Sequence, residues 1–88
     1  MKPEFQADNI FQIEGRGVVA TGTVKNGIIS KGMVTNINGK TAIIEAIEFF
    51  DKISEIAKPG DNCGLLLKGI EKEDIKTPMT IYFEEKTF

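Results

Sequence analysis

The 88-residue chain has no histidine and a single cysteine, Cys63. Without histidine it lacks the commonest metal ligand and the commonest general base. One cysteine rules out an intrachain disulfide. No asparagine stands in a glycosylation sequon, and Met1-Lys2-Pro3-Glu4 is not followed by an apolar signal stretch. Apolar runs are a few residues long, far below the ~20 needed to span a bilayer. Charge of either sign is not in excess either: eleven basic residues face thirteen acidic ones, for a net −2. That balance gives no bulk attraction to a phosphate backbone, so any nucleic-acid contact has to be local. Together these absences point to a reducing interior, the cytoplasm, with no membrane contact. Met1 without a tag-like leader is what a natural short protein would show.

What is present fits a folded domain. The hydrophobic fraction is 41% and the charged fraction 27%, close to globular averages, so disorder is not expected. The length suits one domain spanning 1–88, which buries roughly 60–65% of the surface its unfolded chain exposes.

The periodic signal is strand. From Arg16 to Lys25 the chain is rich in β-branched residues and holds two glycines that a helix would disfavour. One phase carries Val18, Ala20, Gly22 and Val24 and suits a core; the other carries Val19, Thr21 and Thr23 and suits a wetter face. Gly22 implies a bend or a close backbone approach. Asn26-Gly27 and Ser30-Lys31-Gly32 read as turns around the short apolar step Ile28-Ile29, and Met33 to Ile37 as a strand. Asn38-Gly39 is a hairpin turn. From Thr41 to Phe50 strand alternation puts Ile43, Glu45, Ile47 and Phe49 on one side. Ala42, Ile44, Ala46 and Glu48 take the other. Asp51 to Lys58 suits a helical turn, with Ile53 and Ile56 three apart, ended by Pro59-Gly60. Asn62 to Lys68 is a strand with Cys63, Leu65 and Leu67 in one phase and Leu66 in the other. Glu71 to Asp74 suits a charged turn of helix, and Met79 to Phe83 a last strand. One or two more lie around Phe5 and from Ile10 to Ile13. Six or seven short strands without a long helix predict an all-β fold, a closed barrel or a sandwich.

Catalytic motifs fail on inspection. Gly39-Lys40-Thr41 suggests a phosphate loop, but such a loop needs glycine where Val34 stands, and a long helix after it. On a regular strand Glu45 and Glu48 face opposite ways and cannot act as a pair. Cys63 lies in the apolar phase, where cysteine is an inert core residue. Glu71-Lys72-Glu73-Asp74 lacks the spacing of a calcium loop. Neither catalysis, nor a metal, nor a cofactor is expected.

One ordered set of residues is more specific. Phe11-Gln12-Ile13-Glu14-Gly15-Arg16-Gly17-Val18-Val19-Ala20-Thr21-Gly22-Thr23-Val24 resembles the opening of domain 2 of elongation factor Tu and related translational GTPases. Gly27 to Gly32 continues it in register. Glu48-Phe49-Phe50, Lys52 and the run from Ala57 to Ile70 resemble the second half, and Glu71 to Ile75 the charged turn that follows. The resemblance implies a closed six-stranded antiparallel β-barrel that, in the full factor, packs on a GTPase domain and receives the aminoacylated 3′ end of tRNA. It implies an apolar pocket for the terminal adenine at Ile13, Val19, Glu48 and Leu66, with Asn62 nearby. Arg16, Lys52 and Lys68 match cations that meet phosphates or a protein partner. Three features depart from the family: Asp51 reverses a basic position, Lys76-Thr77-Pro78 replaces a glycine-containing turn, and the tail from Tyr82 to Phe88 has no counterpart. Because Val19 and Leu66 lie off the core phase, the expectation is an exposed aliphatic cluster around a lone carboxylate, suited to an RNA 3′ end. The alternatives are a protein-interaction module that docks on a GTPase or other protein partner through the Gly15-Arg16-Gly17 region, which meets the GTPase domain in the full factor, and an orphan domain of unrelated function.

Overall fold

The computed structural model describes residues 2–87. Strands β1 (Glu4–Ile13) and β2 (Gly17–Asn26) form a long antiparallel hairpin, so the two apolar stretches expected near the start are one strand. Then follow β3 (Ile29–Ser30), β4 (Val34–Ile37), β5 (Lys40–Glu48), β6 (Ile53–Ser54), β7 (Ile56–Ala57), β8 (Asn62–Lys68), a 3-10 turn (Lys72–Asp74) and β9 (Met79–Tyr82). Six strands run in the order β4-β5-β8-β2-β1-β9, each antiparallel to its neighbour. Two backbone hydrogen bonds join the ends of this sheet: Val34 N–H donates to the Glu84 carbonyl and Glu84 N–H to that of Val34, both at 2.9 Å. That bridge closes the expected six-stranded barrel.

The inward phase of the strands makes the core. Phe5, Ala20, Val24, Ile29, Ile44, Ile47, Leu65, Leu67, Ile81 and Phe83 are buried in one cluster. Gly22 sits where β1 bulges between Ala7 and Asn9, and a Cβ there would lie 1.8 Å from the Gln6 carbonyl oxygen. The close approach read from the sequence is therefore real. The β4–β5 turn is the expected Asn-Gly hairpin, with φ of 57° at Asn38 and 80° at Gly39. The 3-10 turn anchors this hairpin through Asp74. One carboxylate oxygen accepts from Asn38 Nδ2 at 2.9 Å, the other from Lys40 Nζ at 2.9 Å and Glu71 N–H at 2.8 Å.

Two expectations are corrected. Residues 51–58 are extended rather than helical: Ile53 and Ser54 pair with the end of β5, and Ile56 and Ala57 pair with β3. The three-residue spacing of Ile53 and Ile56 comes from two short strands, both isoleucines being exposed. In β5 a bulge between Ile44 and Ala46 sets two residues against one on β8. Ala42 and Ile44 face the core before it and Ile47 after it, so the regular alternation breaks. As a result Glu45 and Glu48 both face outward instead of opposite ways.

An outer-face recess over β2, β5 and β8

The pairing of β1, β2, β8 and β5 lays two outward rows across the barrel wall. One runs Asn9, Thr21, Gly64, Glu48; the next runs Phe11, Val19, Leu66, Ala46. Gly64 has no side chain, and so the first row dips. A Cβ at Gly64 would lie 3.2 Å from Val19 Cγ1, 3.6 Å from Thr21 Cγ2 and 3.8 Å from the Glu48 carbonyl oxygen. The dip opens into a recess of about 480 Å³ walled by Val19, Thr21, Glu48, Phe49, Phe50 and Asn62, with Asp8 and Asn9 at one end. That volume lies in the range of small-ligand pockets.

The polar groups around it are held in place. Thr23 Oγ1 donates to Asn62 Oδ1 at 2.7 Å, which turns the Asn62 amide so that its Nδ2 remains a donor. Glu48 is not the lone acid expected: its Oε2 accepts from the Arg16 guanidinium. Arg16 sits at the tip of the β1–β2 turn between Gly15 and Gly17, whose φ of 81° and 138° favour glycine. Its own N–H donates to the Ile13 carbonyl at 3.0 Å, so the turn is tied down.

Val19 and Leu66 do leave the core phase, and neither belongs to the core cluster. Yet they are only 9% and 4% exposed, so the expected open aliphatic patch is covered. Val19 forms part of the recess wall; Leu66 lies one row away beneath its neighbours. Ile13, 38% exposed, pairs with Gly17 at the hairpin end, outside the recess. The other two cations are engaged as well: Lys52 Nζ lies 5.4 Å from the centre of the Phe49 ring, and Lys68 Nζ is 3.8 Å from Glu45. The structure thus gathers Val19, Glu48 and Asn62 around one recess, with Arg16 paired to Glu48 from outside its lining and Leu66 one row away. Ile13, Lys52 and Lys68 do not line it. Sequence reasoning missed Gly64, Thr21 and Phe49. The available signal was Gly64 itself, a glycine inside a strand, which marks a bulge or a place where something approaches the backbone.

Cys63 borders the recess, but its side chain is part of the core cluster. Burial, with a smaller push from Asp61, raises its thiol to about 11. A thiol that stays protonated at neutral pH is a poor nucleophile.

The model of elongation factor Tu domain 2 matches residues 17–82. The chain belongs to this family. Among solved structures it is similar to the apo form of translation elongation factor SelB from Methanococcus maripaludis, with a TM-score of 0.85 and 24% identity. That likeness covers 96% of this chain and 18% of the SelB chain, so this barrel spans less than a fifth of that factor. At this identity the likeness shows the shared fold. Among the described residues no helix is long and apolar enough to cross a membrane.

Proposed function

We propose that this elongation factor Tu domain 2 barrel is a non-catalytic binding domain that receives an RNA 3′ end, such as the aminoacylated or CCA end of tRNA, in the outer-face recess. The observation that carries the reading is the meeting of Val19, Glu48 and Asn62 around the Gly64 floor. An adenine is flat and apolar on its face and carries donors and acceptors on its edge. Val19 and the Phe49 ring offer surfaces for the face. Asn62 Nδ2 can donate to a ring nitrogen, and Glu48 Oε1 can accept from the exocyclic amine or a ribose hydroxyl. The recess is acidic, with Glu48 and Asp8 in its lining, so it suits a terminal nucleoside better than a run of phosphates.

Fluorescence anisotropy with a labelled minihelix ending in CCA tests this. The wild-type protein should lose at least about tenfold in affinity when the terminal adenosine is removed, a difference of about 1.4 kcal/mol. Gly64→Val, which fills the floor, should lose at least as much. Equal binding with and without the terminal adenosine would rule the reading out.

A second reading, docking of a GTPase or another protein, is favoured by a different surface. Ile28, Ile53 and Ile56 are all large and exposed on or beside β3, β6 and β7, and none of them lines the recess. Grouped apolar side chains of this kind mark contact surfaces for partners. Ile53→Asp with Ile56→Asp would weaken such docking while leaving the recess intact.

A further inference from the structure

The Arg16–Glu48 ion pair joins a hairpin tip to the end of another strand, and the residue between them is Leu66. Along the outward side of β8 the order is Gly64, Leu66, Lys68. Glu48 pairs with Gly64. Gly17, next to Arg16, stands at the other end: a Cβ there would lie 3.1 Å from the Leu67 carbonyl oxygen and 3.5 Å from both Leu66 Cδ1 and Lys68 Cδ. A side chain that reaches from Arg16 to Glu48 therefore crosses Leu66. This explains why an outward-facing leucine outside the core cluster is 4% exposed. Arginine is suited to such a cover, because its methylene stem packs on apolar surface while the guanidinium stays wet.

We propose that the Arg16–Glu48 pair is a latch over Leu66, and that a phosphate of the incoming ligand opens it by taking over the Arg16 guanidinium. The inference rests on the reading of the recess as an RNA 3′-end site and names the ligand group that triggers entry. In the closed state Glu48 has one oxygen committed to Arg16, and Leu66 is dry. Exchanging carboxylate for phosphate keeps the guanidinium paired, since its fork fits either oxyanion. It also frees both Glu48 oxygens for donors on the base and extends the aliphatic wall from Val19 to Leu66. The side chains of Arg16 and Glu48 are 46% and 27% exposed, and an ion pair this wet is weak enough to exchange. A neutral nucleoside cannot draw Arg16 away, so the latch selects for a base that arrives with its backbone phosphate.

The test is methyl NMR of the full chain with a soluble gadolinium chelate. In the wild type, broadening of the Leu66 methyls should be as slight as that of Leu67. In Arg16→Ala and in Glu48→Gln it should rise severalfold, towards that of the exposed Ile13, while Leu67 stays protected and reports an intact fold. Inorganic phosphate should raise Leu66 broadening in the wild type relative to chloride at matched ionic strength, and leave Arg16→Ala unchanged. Adenosine should bind Arg16→Ala more tightly than wild type, whereas the CCA-ending minihelix should bind it more weakly. Leu66 equally accessible, or equally protected, in wild type and Arg16→Ala would overturn the latch. If the variants open Leu66 and neither protein binds the minihelix, the latch stands and the RNA reading falls. If the wild type binds the minihelix but Leu66 stays covered in Arg16→Ala, the reverse holds.

Discussion

Leu66 and Leu67 are neighbours on one strand, and both are buried, but by different things. Leu67 belongs to the packed interior of the barrel, whereas Leu66 lies outside that cluster at 4% exposure, which the proposed latch assigns to long side chains across the outer wall. The inner cover is a close-packed cluster drawn from every strand except β6. The outer cover reaches across from a turn through an exposed ion pair, and it can move. Low exposure alone does not separate a core residue from the closed state of a site.

That contrast can be broken by truncating each leucine. Leu67→Ala leaves a cavity in a close-packed interior and should cost about 2–5 kcal/mol in a urea titration. Leu66→Ala should cost about 2 kcal/mol or less, because its flexible cover can settle into the gap and water can enter. Equal losses would show that the two sides of β8 are packed alike. Arg16→Ala sharpens the comparison further. In the wild type it should cost only ~0–1 kcal/mol, as exposed ion pairs do. In a double-mutant cycle with Leu66→Ala the two changes should couple by about 0.5 kcal/mol or more, and with Leu67→Ala they should add.

The smallest effect near neutral pH lies away from both faces. Asp74 is held at about 2, below its ordinary 3.8, by the hydrogen bond from Asn38, then the Glu71 backbone N–H and Lys40. A carboxylate with a depressed native pKa adds stability that is complete above its unfolded value and disappears as pH falls through its folded value. The urea midpoint should therefore be insensitive to this group above about pH 4 and fall as pH drops from 3.8 towards about 2. Asp74→Asn should flatten that limb, and an unchanged acid limb would remove Asp74 from the account.

Much of the fold was legible from local pattern. Gly22, Asn38-Gly39, the phase of β8 and the charged turn at 71–74 each follow from a single stretch of chain, and the ordered family residues supplied the barrel. What escaped depends on contacts distant in sequence. The β5 bulge leaves no mark in an apolar run whose faces are both hydrophobic, so the side of Glu48 relative to Glu45 was misjudged. The Arg16–Glu48 pair spans 32 positions, and no spacing rule connects its partners. For the same reason Val19 and Leu66 were correctly taken off the core phase, yet wrongly expected to be open. At 51–58 the isoleucine spacing of a helical turn was satisfied by two short strands, each fixed by a partner elsewhere.

The most direct measurement of the central claim is a residue-resolved NMR titration with a CCA-ending minihelix. The largest shifts should fall at Val19, Glu48, Asn62 and Gly64, with Leu66 and Arg16 following. Shifts confined to Ile28, Ile53 and Ile56, or none at saturating RNA, would contradict it.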